Sequence, residues 1–352
     1  MDWKWLAAGE GETAWDQGLE LFADAPYSLL YGWRRVYEEA LGLKTHYLLV
    51  EDRGRVRGLC PLVLMKSPWF GGGRHLISLP YQTRAGLWTL DPALREGMLA
   101  AVSARAETLK AETVDLRDLE RLQEPEIPAN QEHLEMILEL PGDWEAFEKQ
   151  VSPRLRQARK ARQSGLVVRR GLENDLLEDF YRVFSMRMRE LSFPVYPLRF
   201  FQKILQVFPD RCRLLVVHKE AVPVAGMLLF HYRDSVSAPY VASLTAHQNE
   251  HPNQLLYQAA LRDTWESGAS YFSFCRSQSG SGTYQFKRQW KAQPRPLRYL
   301  YPRVKNAGRV RSVGEARQSL TYHLAATIWP RLPLSWTQWL GSRLIRRLEI
   351  AL

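Results

Sequence analysis

Arg213-Leu214-Leu215-Val216-Val217-His218-Lys219, followed after two residues by Val222-Pro223-Val224-Ala225-Gly226-Met227-Leu228-Leu229-Phe230, decides how this chain folds. Two apolar runs around a short turn are the pattern of a β-hairpin. The same pattern stands earlier: Tyr47-Leu48-Leu49-Val50-Glu51-Asp52, then Arg53-Gly54, then Val56-Arg57-Gly58-Leu59-Cys60-Pro61-Leu62-Val63-Leu64. A glycine follows Val-x in both copies (Gly58, Gly226), which predicts a bulge where the strand bends. The echo continues downstream. Residues 93–110 are rich in Ala, Leu and Glu, and they lead to Thr113-Val114-Asp115-Leu116-Arg117. Residues 253–267, with Leu255, Leu256, Ala259 and Ala260 at helical spacing, lead to Phe272-Ser273-Phe274-Cys275-Arg276. Helix, hairpin, third strand, helix, strand thus occurs twice. The order predicts an α/β fold with mixed sheets flanked by helices, in two modules at 1–130 and 131–305.

Between the modules, residues 123–130 (Gln-Glu-Pro-Glu-Ile-Pro-Ala-Asn) read as a linker. His133 to Leu140 then reads as a strand and Trp144 to Val151 as a helix. Residues 306–352 form a basic helical tail, broken by Pro330 and Pro333. Its last piece carries Trp336, Trp339, Leu340, Leu344, Ile345 and Leu348 beside Arg343, Arg346 and Arg347. At about 100° per residue, Arg343 and Arg347 fall within about 20° of Trp336. A self-standing membrane-surface helix would put them opposite. Docking of the tail onto the protein is therefore the favoured expectation, with peripheral membrane contact as the alternative.

The 352 residues suffice for two cores, and 45% hydrophobic residues with 12 Trp speak for a globular chain. Three scattered cysteines, Cys60, Cys212 and Cys275, make neither a disulfide framework nor a zinc cluster, so a reducing cytoplasm is the expected home and no metal is expected. The N-terminus shows no signal-peptide pattern, and no apolar run reaches the roughly 18 residues of a membrane span. The net charge of +10 is unevenly divided: residues 1–150 hold 16 Lys and Arg against 25 Asp and Glu, residues 151–352 hold 32 against 13. An excess of +19 in the second part suggests a polyanionic partner there: phosphate, RNA or anionic lipid.

Two segments carry the chemistry. Gly280-Ser281-Gly282-Thr283-Tyr284-Gln285-Phe286-Lys287-Arg288 follows a strand and opens a helix. Its glycines let a ligand approach the backbone, Tyr284 and Phe286 offer stacking faces, and Lys287 is placed to meet the oxyanion of acyl transfer. The plain alternative is a surface turn that caps a helix. The second segment is the basic helix 153–164, with Arg154, Arg156, Arg159, Lys160 and Arg162 within nine residues. Such crowding is costly unless an anion neutralises it, and a phosphate-bearing ligand would do so; a solvated helix face is the alternative. The loop 245–253 (Thr-Ala-His-Gln-Asn-Glu-His-Pro-Asn) has no glycine with which to cradle a pyrophosphate. His247-Gln248-Asn249-Glu250-His251 matches an inverted zinc-protease spacing, but Pro252 and the loop setting oppose it. Gly71-Gly72-Gly73 reads as a hairpin turn and Cys275 as a strand cysteine.

The chain resembles the FemAB-type transferases. Gly282, Tyr284, Phe286, Lys287 and Trp290 fit their Gly-x-Tyr-x-Phe-Lys-x-x-Trp element, and Phe272, Phe274, Arg276 and Ser277 fit the preceding Phe-x-Phe-x-Arg-Ser. Thr45 to Leu49, Arg156 to Ala161 and Trp329 to Leu334 are similar to stretches of the FemAB-like proteins that accompany exosortase (PEP-CTERM) exopolysaccharide loci. Ser273 and Cys275 depart from the Asp and Gly frequent in that family, and Tyr81 to Ala85 replaces a glycine-rich loop. The resemblance implies a tandem GNAT (acyl-CoA N-acyltransferase-like) fold and transfer of an acyl or aminoacyl group to an amine or hydroxyl in cell-envelope or exopolysaccharide assembly. It implies Lys287 as the catalytic residue and Arg276, Ser277, Gly280, Gly282, Tyr284 and Phe286 as substrate-binding residues. Arg154, Arg156, Arg159 and Lys160 would hold the phosphates of a tRNA or of a nucleotide- or lipid-linked sugar. The donor would be aminoacyl-tRNA or another activated acyl compound, with no tightly bound cofactor, and the place the cytoplasmic face of the inner membrane. A degenerate GNAT pair that only binds, and a plain acetyl-CoA N-acetyltransferase, are the alternatives.

Overall fold

The structure, a computed structural model, describes residues 1–66, 73–119, 129–130, 133–302 and 326–347. Residues 123–128 of the expected linker, the glycines 71–72 and the tail at 306–325 and 348–352 lie outside the described residues. The chain divides into two compact units. The first gathers residues from 1–131, 296–302 and 342–347, the second those from 132–295 and 326–341.

In the first unit, β1 (Asp2–Leu6), β2 (Lys44–Asp52), β3 (Arg55–Lys66), β4 (Arg74–Ile77) and β6 (Thr113–Leu119) lie side by side, with β5 (Trp88–Thr89) on β3. β4 and β6 are parallel and α3 (Pro92–Thr108) crosses between them. The end of β14 (Gln293–Leu300) runs antiparallel to β6, Leu300 facing Leu116. Sequence reading had assigned these residues to the second module. β6 would otherwise be an edge, and a strand from far along the chain supplies its missing ladder. Leu48, Val50, Leu62, Leu76, Met98, Val102 and Val114 fill the core between sheet and α3.

The second unit repeats the plan. β9 (Leu166–Gly171), β10 (Cys212–Lys219), β11 (Val222–Tyr232), β12 (Ser235–Ser243) and β13 (Tyr271–Gln278) stand in order, and β8 (His133–Glu139) closes β13. β12 and β13 are parallel, joined by α8 (Pro252–Glu266). α5 (Ser152–Gln163) packs on α8 through Ala158 and Ala161, while α8 buries Leu255, Leu256, Ala259 and Ala260. On the other face, α6 (Asn174–Glu190) and α7 (Leu198–Val207) build an aromatic cluster of Phe180, Phe184, Tyr196, Phe200, Phe201 and Tyr240. The fold is thus α/β with mixed sheets flanked by helices.

Both hairpins turn through two left-handed residues, Arg53 (φ 48°) and Gly54 (φ 74°) in one, Glu220 (φ 48°) and Ala221 (φ 65°) in the other. That conformation matches the right-handed twist of the strands. The expected bulges fall just before the glycines: Val50 pairs with Gly58 and Glu51 with Val56, so Arg57 is the extra residue. Val217 pairs with Ala225 and His218 with Pro223, so Val224 is extra.

Candidate functional site

The parallel strands β12 and β13 pair only at Ser235 with Tyr271, Val236 with Phe272 and Ser237 with Ser273. Both then run on, to Ser243 and Gln278, and among the described residues no backbone hydrogen bond joins them beyond that point. The sheet of the second unit is forked. The first unit forks too, since β4 and β6 pair over three residues and part after Ile77 and Asp115. There the chain fills its own fork. Ser78 N donates to Asp115 O, Arg117 N to Ser78 Oγ and Ala85 N to Arg117 O, each at 2.8 Å. Leu79, Gln82, Arg84 and Ala85 are buried in consequence, and the buried Arg117 pairs with Asp115 at 2.9 Å. The non-glycine loop Tyr81 to Ala85 is this plug.

At the fork of the second unit β13 buckles. Against β8 the register jumps from Ser273–Ile137 to Arg276–Glu135, so Phe274 and Cys275 oppose the single Met136. Cys275 adopts φ 56°, a left-handed conformation in which a side chain is strained. Ser273 Oγ accepts from Cys275 N at 3.1 Å and donates to Glu135 Oε1 at 2.8 Å. Lys287 Nζ donates to Arg276 O at 2.8 Å and to Cys275 O at 3.3 Å. Lys287 is only 7% exposed, and burial pushes its pKa down to about 8. Its third N–H finds no acceptor among the described residues. The cation is therefore held on the part of β13 that β12 has left.

The helix that carries Lys287 is α9 (Gly282–Gln289). Gly280 (φ 73°) makes the turn, and Ser281 caps the helix, its Oγ accepting from Tyr284 N at 3.2 Å. The capping alternative and the lysine site thus coexist. Lys287 and Trp290 share the buried face of the helix. The other named residues divide. Gly280 and Gly282 are exposed and Arg276 is half-buried on the forked strand. Ser277 is buried, its Oγ without a hydrogen bond among the described residues. Phe286 packs 5.2 Å from the ring of Tyr257, and Tyr284 packs partly on the same core. Phe286 and Tyr284 are both partly buried, packed by part of their surface on the core of α8 and β13. Glu135 and Ser273 escaped sequence reading as site residues. Their signal was weak, an acid between Leu134 and Met136 and a serine between Phe272 and Phe274, each at the ordinary alternate-face position of a strand.

On α5, Arg156, Arg159, Lys160 and Arg162 are exposed and Arg154 is half-buried; none forms an ion pair among the described residues. Burial, and after it the neighbouring Arg170, hold the Arg162 guanidinium below its ordinary pKa. Between β12 and α8, residues Thr245–Glu250 form a 3-10 turn and His251 turns left-handed. The zinc-protease spacing is thus on no single helical face. Glu250 instead meets Lys219 at 2.7 Å, and that bond holds its carboxyl below the usual range. Among the described residues no cluster of His, Cys, Asp and Glu could hold a metal.

Residues 149–288 match the acetyltransferase (GNAT) domain family. The fold is that of tandem GNAT proteins. The structure of FemX aligns with 12% identity and a TM-score of 0.59 over 85% of this chain and 97% of that one. A tandem GNAT protein from the clavulanic acid biosynthesis pathway aligns with 13% identity and a TM-score of 0.54 over 85% and 97%. L-PGS from Bacillus licheniformis aligns with 14% identity and a TM-score of 0.51 over 86% and 98%. No curated protein matches the chain in sequence.

Proposed function

We propose that the chain is a FemAB-like acyl or aminoacyl transferase whose donor carbonyl enters the fork of the second unit. The observation that carries this reading is the contrast between the forks: the first is plugged by residues 78–85, the second holds a buried cation with one N–H to spare. Lys287 would donate that N–H to the carbonyl oxygen as the acceptor's amine adds to the acyl carbon. Collapse of the tetrahedral adduct expels the donor's alkoxide, which takes the proton lost by the amine; no covalent enzyme intermediate is needed. The cations of α5 would bind phosphates of the donor or of a sugar-linked acceptor. The absence of a glycine cradle before α8, with Glu250 in its place, speaks against a donor gripped there by a pyrophosphate. The process served would be envelope or exopolysaccharide assembly at the inner membrane, a reading that rests on the family resemblance.

The test is transfer from charged tRNA to amine acceptors by wild type and Lys287→Ala. Loss of product by a factor of about 100 or more with tRNA binding retained supports catalysis. Equal loss of binding and product assigns the chain to the binding-protein reading. Stoichiometric micromolar binding of acetyl-CoA overturns the choice of donor.

A further inference from the structure

The tail helix α10 (Leu334–Leu344) is fixed to the second unit by one face. Thr337 is 2% exposed, and a Cβ on Gly341 would meet Val195 N at 2.6 Å. The segment before it is tied as well, with Arg189 Nη1 donating to Leu332 O at 3.3 Å and Ser192 Oγ to Ala326 O at 2.8 Å. The face turned outward is of unusual composition. Trp336 is 63% exposed, Trp339 57% and, in the preceding segment, Ile328 54%. Arg331 and Arg343 are exposed beside them, and residues 326–347 contain no Asp or Glu.

The geometry points to this face as a docking surface for an anionic lipid bilayer. Indole rings favour the headgroup layer, where their apolar body leaves water and the ring N–H stays solvated. The arginines complement lipid phosphates, and the segment that carries them contributes no acid of its own. Placement of Arg343 on the same side as Trp336 opposes a helix half-sunk by itself. It suits a helix whose opposite face the protein already covers: the outward stripe alone touches the membrane, and long arginine stems reach the phosphates while the rings enter between headgroups. A second copy of the chain is a poorer occupant, because a twofold pairing would bring the same cations together. This inference stands apart from the transferase reading.

The experiment is co-sedimentation of the full chain with vesicles of phosphatidylcholine, with and without phosphatidylglycerol. Wild type should partition onto the anionic vesicles. Trp336→Ala with Trp339→Ala should weaken partitioning by about tenfold or more. Arg331→Gln should weaken it about fivefold, on anionic vesicles only. Both variants change exposed side chains, so unchanged circular dichroism and thermal midpoint are expected. Wild type that stays in solution, a double variant that binds like wild type, or a tryptophan-dependent dimer in light scattering would each overturn the proposal.

Discussion

Lys287 is costly where it stands. A lysine whose pKa falls from 10.5 to about 8 on folding carries roughly 3 kcal/mol of unfavourable burial at neutral pH. Below about pH 8 the folded and unfolded chains both hold the proton, and the penalty is complete. Between about 8 and 10.5 the folded chain has lost it and the unfolded chain has not, so stability rises with pH in that window. Urea midpoints at neutral and alkaline pH should therefore climb for wild type and stay flat for Lys287→Met. The transfer rate, if it needs the ammonium, should run the other way and fall above about pH 8. Cys275 gives a second check. With φ 56° it should accept glycine at little cost, whereas Cys275→Val should lose about 2 kcal/mol and is read by the same unfolding curves. Neither the strain at Cys275 nor the buried aim of Lys287 was visible as such in the sequence, since both follow from a register shift against β8, a strand more than 130 residues earlier. A weak signal did exist: Trp290 stands three residues after Lys287, on the same helical face.

The hairpins were legible because their determinants are local: apolar runs, short turns and a glycine after the bend. The turn Glu220-Ala221 is the exception in chemistry, since two L-residues sit in left-handed geometry. Glu220→Asn with Ala221→Gly should stabilise the second unit by about 1 kcal/mol, measured as a raised thermal midpoint. The basic helix was also legible, but its burial pattern was not; only packing on α8 shows that Ala158 and Ala161 turn inward and leave the cations outside. Replacing Arg156, Arg159 and Lys160 by Gln should leave stability within about 0.5 kcal/mol. If these side chains meet phosphates, the slope of log K against log salt for tRNA binding should fall by about 2.

The duplication was readable over the whole chain, yet the difference between its copies was not. Nothing local in residues 78–85 announces a plug, because the partners Asp115 and Arg117 lie beyond α3. The return of β14 to β6 was hidden for the same reason. Asp115→Ala removes the carboxylate paired with a guanidinium that is 2% exposed and should cost about 3–5 kcal/mol of stability in the first unit. Ligand titration of the second unit should be unaffected, since its fork does not depend on that pair.

The two-against-one step in β13 also sets a phase. Side chains alternate along a strand, and one surplus residue inverts the alternation for everything after it. Phe272 and Phe274 point into the core with Met136 and Leu138, and an even count would send Arg276 after them. The step instead turns Ser277 toward Leu134 and keeps Arg276 beside Glu135. Flattening the step with every residue kept would drive a guanidinium among the rings of Phe272, Phe274 and Tyr257, whereas excising Cys275 removes the surplus residue and leaves Arg276 facing Glu135.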